Sequence, residues 1–176
     1  MKLLTLKFFI LLVVLFIPNT VNSKELNGLK NLVIYEDQKK ISEISFKNEK
    51  DKDVSLSEYE NKLLILNFWA TWCEPCKEEM PSLDKLAVDK NFKNLEILPI
   101  NIGQEKIEKI EEFYSKTKIK NLGIFYDTDV RLAKKFLLRG LPTTLIINKD
   151  GKEFARVVGS INFQDVNFKT WLQNYD

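Results

Sequence analysis

Apolar residues along the chain follow two patterns, unbroken runs of strand length and positions spaced at helical intervals. The runs at residues 63–69, 95–100 and 145–147 are nearly free of polar side chains, which is typical of strands covered on both faces of a sheet. Apolar residues recur at helical spacing between residues 73 and 89, and again from residue 107. This order predicts an α/β domain with a central mixed β-sheet and helices on both faces.

Shorter patterns predict further elements. Residues 32–35 and 44–46 are expected to form short strands, the second at a sheet edge, and residues 54–59 lead toward a short helix. Another short strand is expected at residues 123–126. It precedes a short helix at residues 129–136, whose first residue is an aspartate that would serve as an acidic cap.

The C-terminal part is predicted to be a hairpin followed by a helix. An Asp-Gly pair at residues 150–151 separates two apolar runs, which is a strong signal for a β-hairpin. Ser160 or Asn162 is expected to cap the final helix, because both side chains can accept a hydrogen bond from a helical N–H group.

The first 23 residues have the organisation of an export signal. Lysines at positions 2 and 7 flank the start of an unbroken apolar run at residues 8–17. A membrane span needs about 20 apolar residues, so this run is short for one. We expect cleavage after Ser23, with an uncleaved N-terminal anchor and a buried core helix as the alternatives. With either a cleaved signal or an anchor, the domain is delivered outside the cytoplasm.

Composition excludes several classes of protein. The chain has 176 residues, a length suited to one domain, and no histidine. The absence of histidine excludes Ser-His-Asp and Cys-His nucleophile pairs, His-ligated copper or haem, and imidazole bases. The formal charge of +2 comes from 27 basic and 25 acidic residues. Removal of residues 1–23 takes away two lysines and leaves a balance of zero, so we expect no nucleic-acid partner.

The two cysteines of the chain, Cys73 and Cys76, lie where the buried strand at residues 63–69 meets the next helix. The free N–H groups and the positive dipole at a helix start favour the thiolate of Cys73. Cys76 is one turn away, close enough for a disulfide, and so small a loop contributes little to stability. We interpret the pair as redox-active, with Cys73 attacking and Cys76 resolving. A structural disulfide, half of a zinc site and a coincidental pair are the alternatives.

Residues 68–81, with the sequence FWATWCEPCKEEMP, resemble the active-site signature of the TlpA/ResA-like thiol-disulfide oxidoreductases. The resemblance continues through residues 140–144 (GLPTT), spans roughly residues 53–172, and is closer to the TlpA branch. It implies a thioredoxin-like fold with the CxxC pair at the N-terminus of the first main helix. The expected parts are a signal peptide or anchor at residues 1–23, a lead-in segment at 24–40 and a thioredoxin-like domain at 41–176.

The resemblance implies roles for further residues. Glu79 matches an active-site acid that handles protons for the cysteines, and burial would raise its pKa and suit it to that task. Pro142 matches a cis-proline opposite the cysteine pair, which would leave the backbone of Leu141 free to bind a substrate strand. Trp72 is expected to shield the disulfide. A solvated glutamate and a trans turn proline are the alternatives for Glu79 and Pro142.

Glu74 and Pro75, between the cysteines, are expected to tune the redox couple. Proline stiffens the loop, and an acidic neighbour disfavours the thiolate relative to a basic or imidazole one. A less stabilised thiolate makes the dithiol a better reductant. The redox-active disulfide is the only reactive group expected, with no metal and no other cofactor.

The resemblance also implies partners and a location. The clients would be disulfide-containing exported proteins, such as apocytochrome c or copper-site proteins of cytochrome oxidase, and a membrane carrier of the CcdA/DsbD type would supply electrons. We expect a monomer in the periplasm or another extracytoplasmic space, soluble after signal cleavage or tethered by the anchor. A copper-transfer module and a disulfide-forming oxidant are the rival functions.

Overall fold

One strand at the centre of the sheet is buried along its whole length. The computed structural model describes residues 29–176. In it β4 (Leu63–Trp69) has seven residues, all of them buried. β5 (Leu95–Asn101) runs parallel to β4 on one side, and β7 (Thr143–Ile147) runs antiparallel on the other. Cover on both faces explains the nearly continuous apolar sequence of β4.

Five more strands complete a mixed sheet with the order β1-β8-β7-β4-β5-β6-β2-β3. The strands β4, β5 and β6 are mutually parallel, and every other pairing is antiparallel. The bounds of the five are β1 (Leu32–Lys40), β2 (Ser45–Asn48), β3 (Asp53–Ser55), β6 (Phe125–Tyr126) and β8 (Lys152–Val158).

Helices cover both faces of the sheet. They are α1 (Glu74–Leu86), α2 (Ile107–Thr117), α3 (Arg131–Lys135) and α4 (Val166–Gln173), with a 3-10 turn at Leu56–Tyr59. Buried residues of α1, α2 and α4 join one hydrophobic cluster, which also contains both cysteines. Leu132 of α3 belongs to a second cluster. The predicted α/β architecture, a mixed sheet between helices, is confirmed.

Two predictions about strands are corrected by the pairing. The short strand at residues 44–46 is not at an edge, because β3 pairs with the outer side of β2. The segment at residues 24–40 contributes β1, which runs on to Lys40 and pairs with β8 in the same sheet. The boundary expected at residue 41 therefore falls between two strands of one sheet.

The export signal predicted at residues 1–23 lies outside the described residues. Within residues 29–176, no helix has the length and apolar character that a membrane crossing requires.

Both predicted helix caps are wrong. The helix α3 begins at Arg131, after Val130, and the acid that supports it is Asp127, whose Oδ2 accepts a hydrogen bond from the Leu132 N–H at 2.7 Å. The cap of α4 is Asp165, whose Oδ1 accepts hydrogen bonds from the N–H groups of residues 167 and 168 at 2.8 and 3.0 Å.

The segment before α4 explains the second correction. The N–H groups of Ile161 and Phe163 donate to side chains of α1, Glu79 at 3.2 Å and Ser82 at 3.0 Å. These contacts hold residues 160–164 against α1, so the chain reaches helical conformation only at residue 166.

Replacement of Asp165 by alanine should lower the free energy of unfolding by about 1 kcal/mol, because two N–H groups at the start of α4 lose their acceptor. Urea denaturation measures the change. Ser160→Ala is the matched control, and it should have less than half that effect. Equal losses for the two variants would contradict the assignment of the cap.

Candidate active site

A disulfide joins Cys73 and Cys76 across the first turn of α1, with the Cα atoms 5.3 Å apart. Cys73 is the N-cap residue, and its Sγ accepts a hydrogen bond from the Cys76 N–H at 3.3 Å. Pro75 occupies the first turn, where a missing N–H removes no helical hydrogen bond. The positive end of α1 therefore lies at the Cys73 sulfur and favours its thiolate in the reduced protein.

The two cysteines are both shielded from solvent. Cys73 is 5% exposed and Cys76 is 0% exposed, so Cys73 is the more accessible of the two, as predicted. Trp72 is predicted to shield the disulfide, but its side chain is 61% exposed, so most of the indole faces solvent. Trp69, in contrast, is fully buried in the cluster that contains the cysteines.

The peptide bond between Leu141 and Pro142 is cis, as predicted. The next residue, Thr143, pairs with Phe68 near the carboxyl end of β4, which is the end of the sheet where α1 begins. Leu141 is half-buried and packs against the cluster that contains both cysteines. Its N–H and C=O make no hydrogen bond within residues 29–176, so both groups are available to another chain.

Glu79 lies one turn beyond Cys76 on α1 and is 2% exposed, which excludes the alternative of a solvated glutamate. Its Oε1 accepts a hydrogen bond from Asn67 Nδ2 at 2.8 Å, and its Oε2 accepts one from the Ile161 N–H at 3.2 Å. Burial raises the pKa of Glu79 to about 7, and the two hydrogen bonds oppose a larger rise. The adjacent Glu78 is exposed, as expected.

Asn67 belongs to the site but was not among the residues predicted from the sequence. It is fully buried in β4, and its Nδ2 donates to Thr144 Oγ1 of β7 at 2.9 Å as well as to Glu79. Its Oδ1 has no hydrogen-bond partner among the described residues. A signal was present in the sequence, because a single amide in an otherwise apolar buried strand is costly without a partner.

Glu105 was also not predicted, and it holds the segment that precedes the cysteines. Its carboxylate accepts hydrogen bonds from the Thr71 N–H at 2.8 Å, the Thr71 hydroxyl, Asn101 Nδ2 at 3.1 Å and Lys109 Nζ at 2.7 Å. Burial alone would raise the pKa of Glu105, but these donors together lower it to about 2. The carboxylate is therefore ionised at neutral pH and ties this segment to the connection between β5 and α2.

The residues between the cysteines are exposed. Glu74 Oε2 lies 2.8 Å from Lys77 Nζ, so a cation offsets part of the negative charge that is expected to disfavour the Cys73 thiolate. In the part of the chain that the structure describes, no group of three or more Cys, Asp or Glu residues is placed to hold a metal ion. The disulfide is the reactive group that the site offers.

Three features together define a thioredoxin-like redox protein. They are a disulfide at the start of a helix, a cis-proline at the same end of the sheet, and a buried acid one turn after the cysteines on that helix. Residues 38–152 match the AhpC/TSA family, and the chain belongs to that family.

The chain is similar to curated relatives named thiol-disulfide oxidoreductase ResA. It is 34% identical over 110 residues to the thiol-disulfide oxidoreductase ResA of Bacillus subtilis (strain 168), covering 62% of this chain and 60% of the relative. It is also 34% identical over 113 residues to ResA of Geobacillus thermodenitrificans (strain NG80-2), covering 63% of each chain. The matched part is therefore less than two thirds of these relatives. The predicted ResA-like resemblance is confirmed, and the finer placement on the TlpA branch stays a prediction.

Solved structures confirm the thioredoxin-like fold. A secreted thiol-disulfide isomerase from Corynebacterium glutamicum superimposes with a TM-score of 0.69 at 22% identity, covering 82% of this chain and 93% of that one. StoA from Bacillus subtilis superimposes with a TM-score of 0.62 at 21% identity, covering 73% and 96%.

The raised pKa of Glu79 makes stability depend on pH. The native state keeps the proton up to about pH 7, whereas the unfolded chain releases it near the ordinary pKa of 4.5. The free energy of unfolding of the oxidised wild type, measured relative to that of Glu79→Gln, should therefore fall by about 3 kcal/mol as the pH rises from 4.5 to 7. Above pH 7 this difference should stay constant, because Glu79 is then ionised in both the native and the unfolded state. Urea unfolding of both proteins across this range measures it. Glu78→Gln is the control, and it should show the same pH dependence as the wild type. If the difference in stability between the wild type and Glu79→Gln did not change with pH, the burial argument would be wrong.

Replacement of Asn67 by leucine should raise the pKa of Glu79 further, because the carboxylate loses the hydrogen bond that favours its ionised form. Carboxyl chemical shifts followed by NMR give the titration of Glu79 directly. Thr144→Val is the matched control, since it removes only the acceptor of the second Asn67 hydrogen bond. If Glu79 has the same pKa in Asn67→Leu as in the wild type, the hydrogen bond from Asn67 does not influence the pKa of Glu79.

Proposed function

We propose that the protein is an exported thiol-disulfide oxidoreductase that reduces disulfides of client proteins through Cys73 and Cys76. One observation carries the proposal. The disulfide caps α1 at the end of the sheet that also holds the cis Leu141–Pro142 bond, and Glu79, with a pKa of about 7, lies buried beneath it. The relatives named thiol-disulfide oxidoreductase ResA support the same activity.

The cycle begins with the reduced pair. An extended client segment pairs with the free backbone groups of Leu141, as a strand is added to a sheet. The Cys73 thiolate attacks one sulfur of the client disulfide. A bond forms between Cys73 and that sulfur, the client disulfide breaks, and the second client sulfur leaves as a thiolate that takes a proton.

Cys76 then resolves the mixed disulfide. Its thiol passes a proton to the ionised form of Glu79, and the resulting thiolate attacks Cys73 Sγ. The Cys73–Cys76 disulfide forms, the bond to the client breaks, and the remaining client sulfur leaves as a thiolate. The client has gained two electrons and the cysteine pair has lost two.

Glu79 must return its proton for the next turnover, and its surroundings support this. A cavity of about 270 Å³ lies beside it, lined by Glu78, Ser82 and residues 160–162. With a pKa of about 7, the carboxyl is divided between its two protonation states at neutral pH, so it both accepts a proton from Cys76 and releases one to water.

The oxidised pair requires an electron donor. We propose a membrane carrier of the CcdA/DsbD type as the reductant, and apocytochrome c or copper-site proteins of cytochrome oxidase as clients. We also place the domain in the periplasm or another extracytoplasmic space, on the strength of the signal-like residues 1–23. These assignments are supported by the ResA-like resemblance.

Cys76→Ser, expressed in the native host, should accumulate client proteins as mixed disulfides on Cys73, because the resolving thiol is missing. Mass spectrometry of the trapped adducts identifies the clients. The control, Cys73→Ser combined with Cys76→Ser, should trap nothing, and the reduced wild type should reduce insulin. An absence of adducts together with an absence of insulin reduction would refute the proposed function.

A further inference from the structure

Residues 131–140, which lead from α3 to the cis-proline loop, form a strongly basic segment. They contain four basic side chains and no acidic one, although the whole chain has nearly equal numbers, 27 and 25. The four, all exposed, are Arg131, Lys134, Lys135 and Arg139. This ten-residue segment therefore carries a net charge of +4 in a chain whose basic and acidic residues are nearly equal in number.

Three of these four charges have no carboxylate partner among the described residues. Arg131 lies 3.5 Å from Asp127, and Lys135 Nζ donates to a backbone carbonyl at 2.8 Å. Within residues 29–176, no carboxylate lies within 4.0 Å of Lys134 or Arg139. Both side chains are therefore available to pair with acidic groups of another molecule.

A cavity of about 350 Å³ adjoins the basic segment, and Lys39, Lys40 and Lys135 line it. Arg156 also lines this cavity, but Glu153 neutralises it at 2.7 Å, so the three lysines dominate the charge. The apolar wall includes Leu137, which is 78% exposed. Its φ of 51° is uncommon for a residue other than glycine, and its large apolar side chain is exposed beside the lysines that line the cavity.

The basic segment runs directly into the loop that faces the cysteines. Leu141 packs against the cluster of Cys73 and Cys76, and Arg139 precedes it by only two residues. An extended chain advances about 3.3 Å per residue, so residues a few positions from a client cysteine reach the basic segment. The start of α1 carries a weak opposite charge, because Lys77 offsets Glu74 while the exposed Glu78 has no cation within 4.0 Å among the described residues. This asymmetry favours one direction for a bound acidic segment.

We propose that the basic segment binds an acidic stretch flanking the reactive cysteine of the client protein. The proposal rests on the proposed function and names its substrate class. An acidic polypeptide is favoured over an anionic membrane surface because Arg139 lies two residues before Leu141, in the loop that receives the client chain. Lys39 and Lys40 lie toward the other end of β8, since Lys40 pairs with Lys152 whereas Thr143 pairs with Val158. The cavity therefore extends the positive surface away from that loop. Such complementarity acts mainly on the association rate and is weakened by salt.

Three synthetic peptides test this, each with one cysteine joined by a disulfide to a thionitrobenzoate reporter. They differ only in the flanking residues, which are glutamate, glutamine or lysine. At about 20 mM salt, where screening is weak, the reduced wild type should release the reporter about tenfold faster from the glutamate peptide than from the glutamine peptide. The difference should shrink at about 500 mM salt, and the lysine peptide should be the slowest.

The variant Lys134→Glu combined with Arg139→Glu should lose the preference for the glutamate peptide while it reduces the glutamine peptide at the wild-type rate. The matched control is Lys90→Glu combined with Lys93→Glu. It makes the same change in charge at two exposed positions between α1 and β5. These positions follow the C-terminal end of α1, whereas the cysteines lie at its N-terminal end. It should keep the preference.

Equal rates for the three peptides with the wild type would overturn the proposal and leave the oxidoreductase function intact, whereas no release from any peptide would count against that function itself. Binding to vesicles of phosphatidylcholine with phosphatidylglycerol tests whether the basic segment binds an anionic membrane instead of an acidic polypeptide. The proposal would be overturned, and the surface assigned to a membrane, if two results were found together. The wild type would bind these vesicles while Lys134→Glu with Arg139→Glu would not, and the wild type would show no preference among the peptides.

Discussion

The hydrogen bond between Asn67 and Glu79 connects the central strand to the active-site helix, and the chemistry of the site depends on it. Burial of a carboxyl among apolar residues favours its neutral form, and two donated hydrogen bonds favour the ionised form. The balance lies at a pKa of about 7. A carboxyl with more donors would stay ionised, and one with fewer would stay protonated. Neither could take and return a proton at neutral pH.

The comparison with Glu105 makes this balance clear. Both glutamate side chains are shielded from solvent, but Glu105 has a lysine and three other donors around it, and its pKa falls to about 2. Glu105 serves as a permanent anion that fixes the backbone before Cys73. Glu79 has only amide donors and remains titratable. The same residue type is therefore held ionised at one position and titratable near neutral pH at the other within one site.

Exposed charges around the site are distributed unevenly between the start of α1 and the segment that leads to the cis-proline. The helix that carries the cysteines has two exposed acids and one lysine in its first turns, whereas the basic segment, residues 131–140, has no acid and leads to the cis-proline. Under the proposed function, a client chain crosses both, since the cis-proline loop and the helix start lie at the same end of the sheet. Net charge, which is close to zero after residue 23, does not reveal this arrangement.

Local patterns in the sequence determined the order of strands and helices, the Cys73–Cys76 pair at the start of a helix and, through the family resemblance, the cis bond at Pro142. The elements and the cysteine pair depend on neighbouring residues, so periodicity and motif spacing were sufficient to predict them, whereas the cis bond was implied by the resemblance alone. Only the tertiary structure decided which donors reach Glu79, because one of them, Ile161, is 82 positions away. The same contact to α1 moved the cap of the last helix to Asp165. Pairings over such separations leave no local periodic signal, since each is set by how whole elements pack.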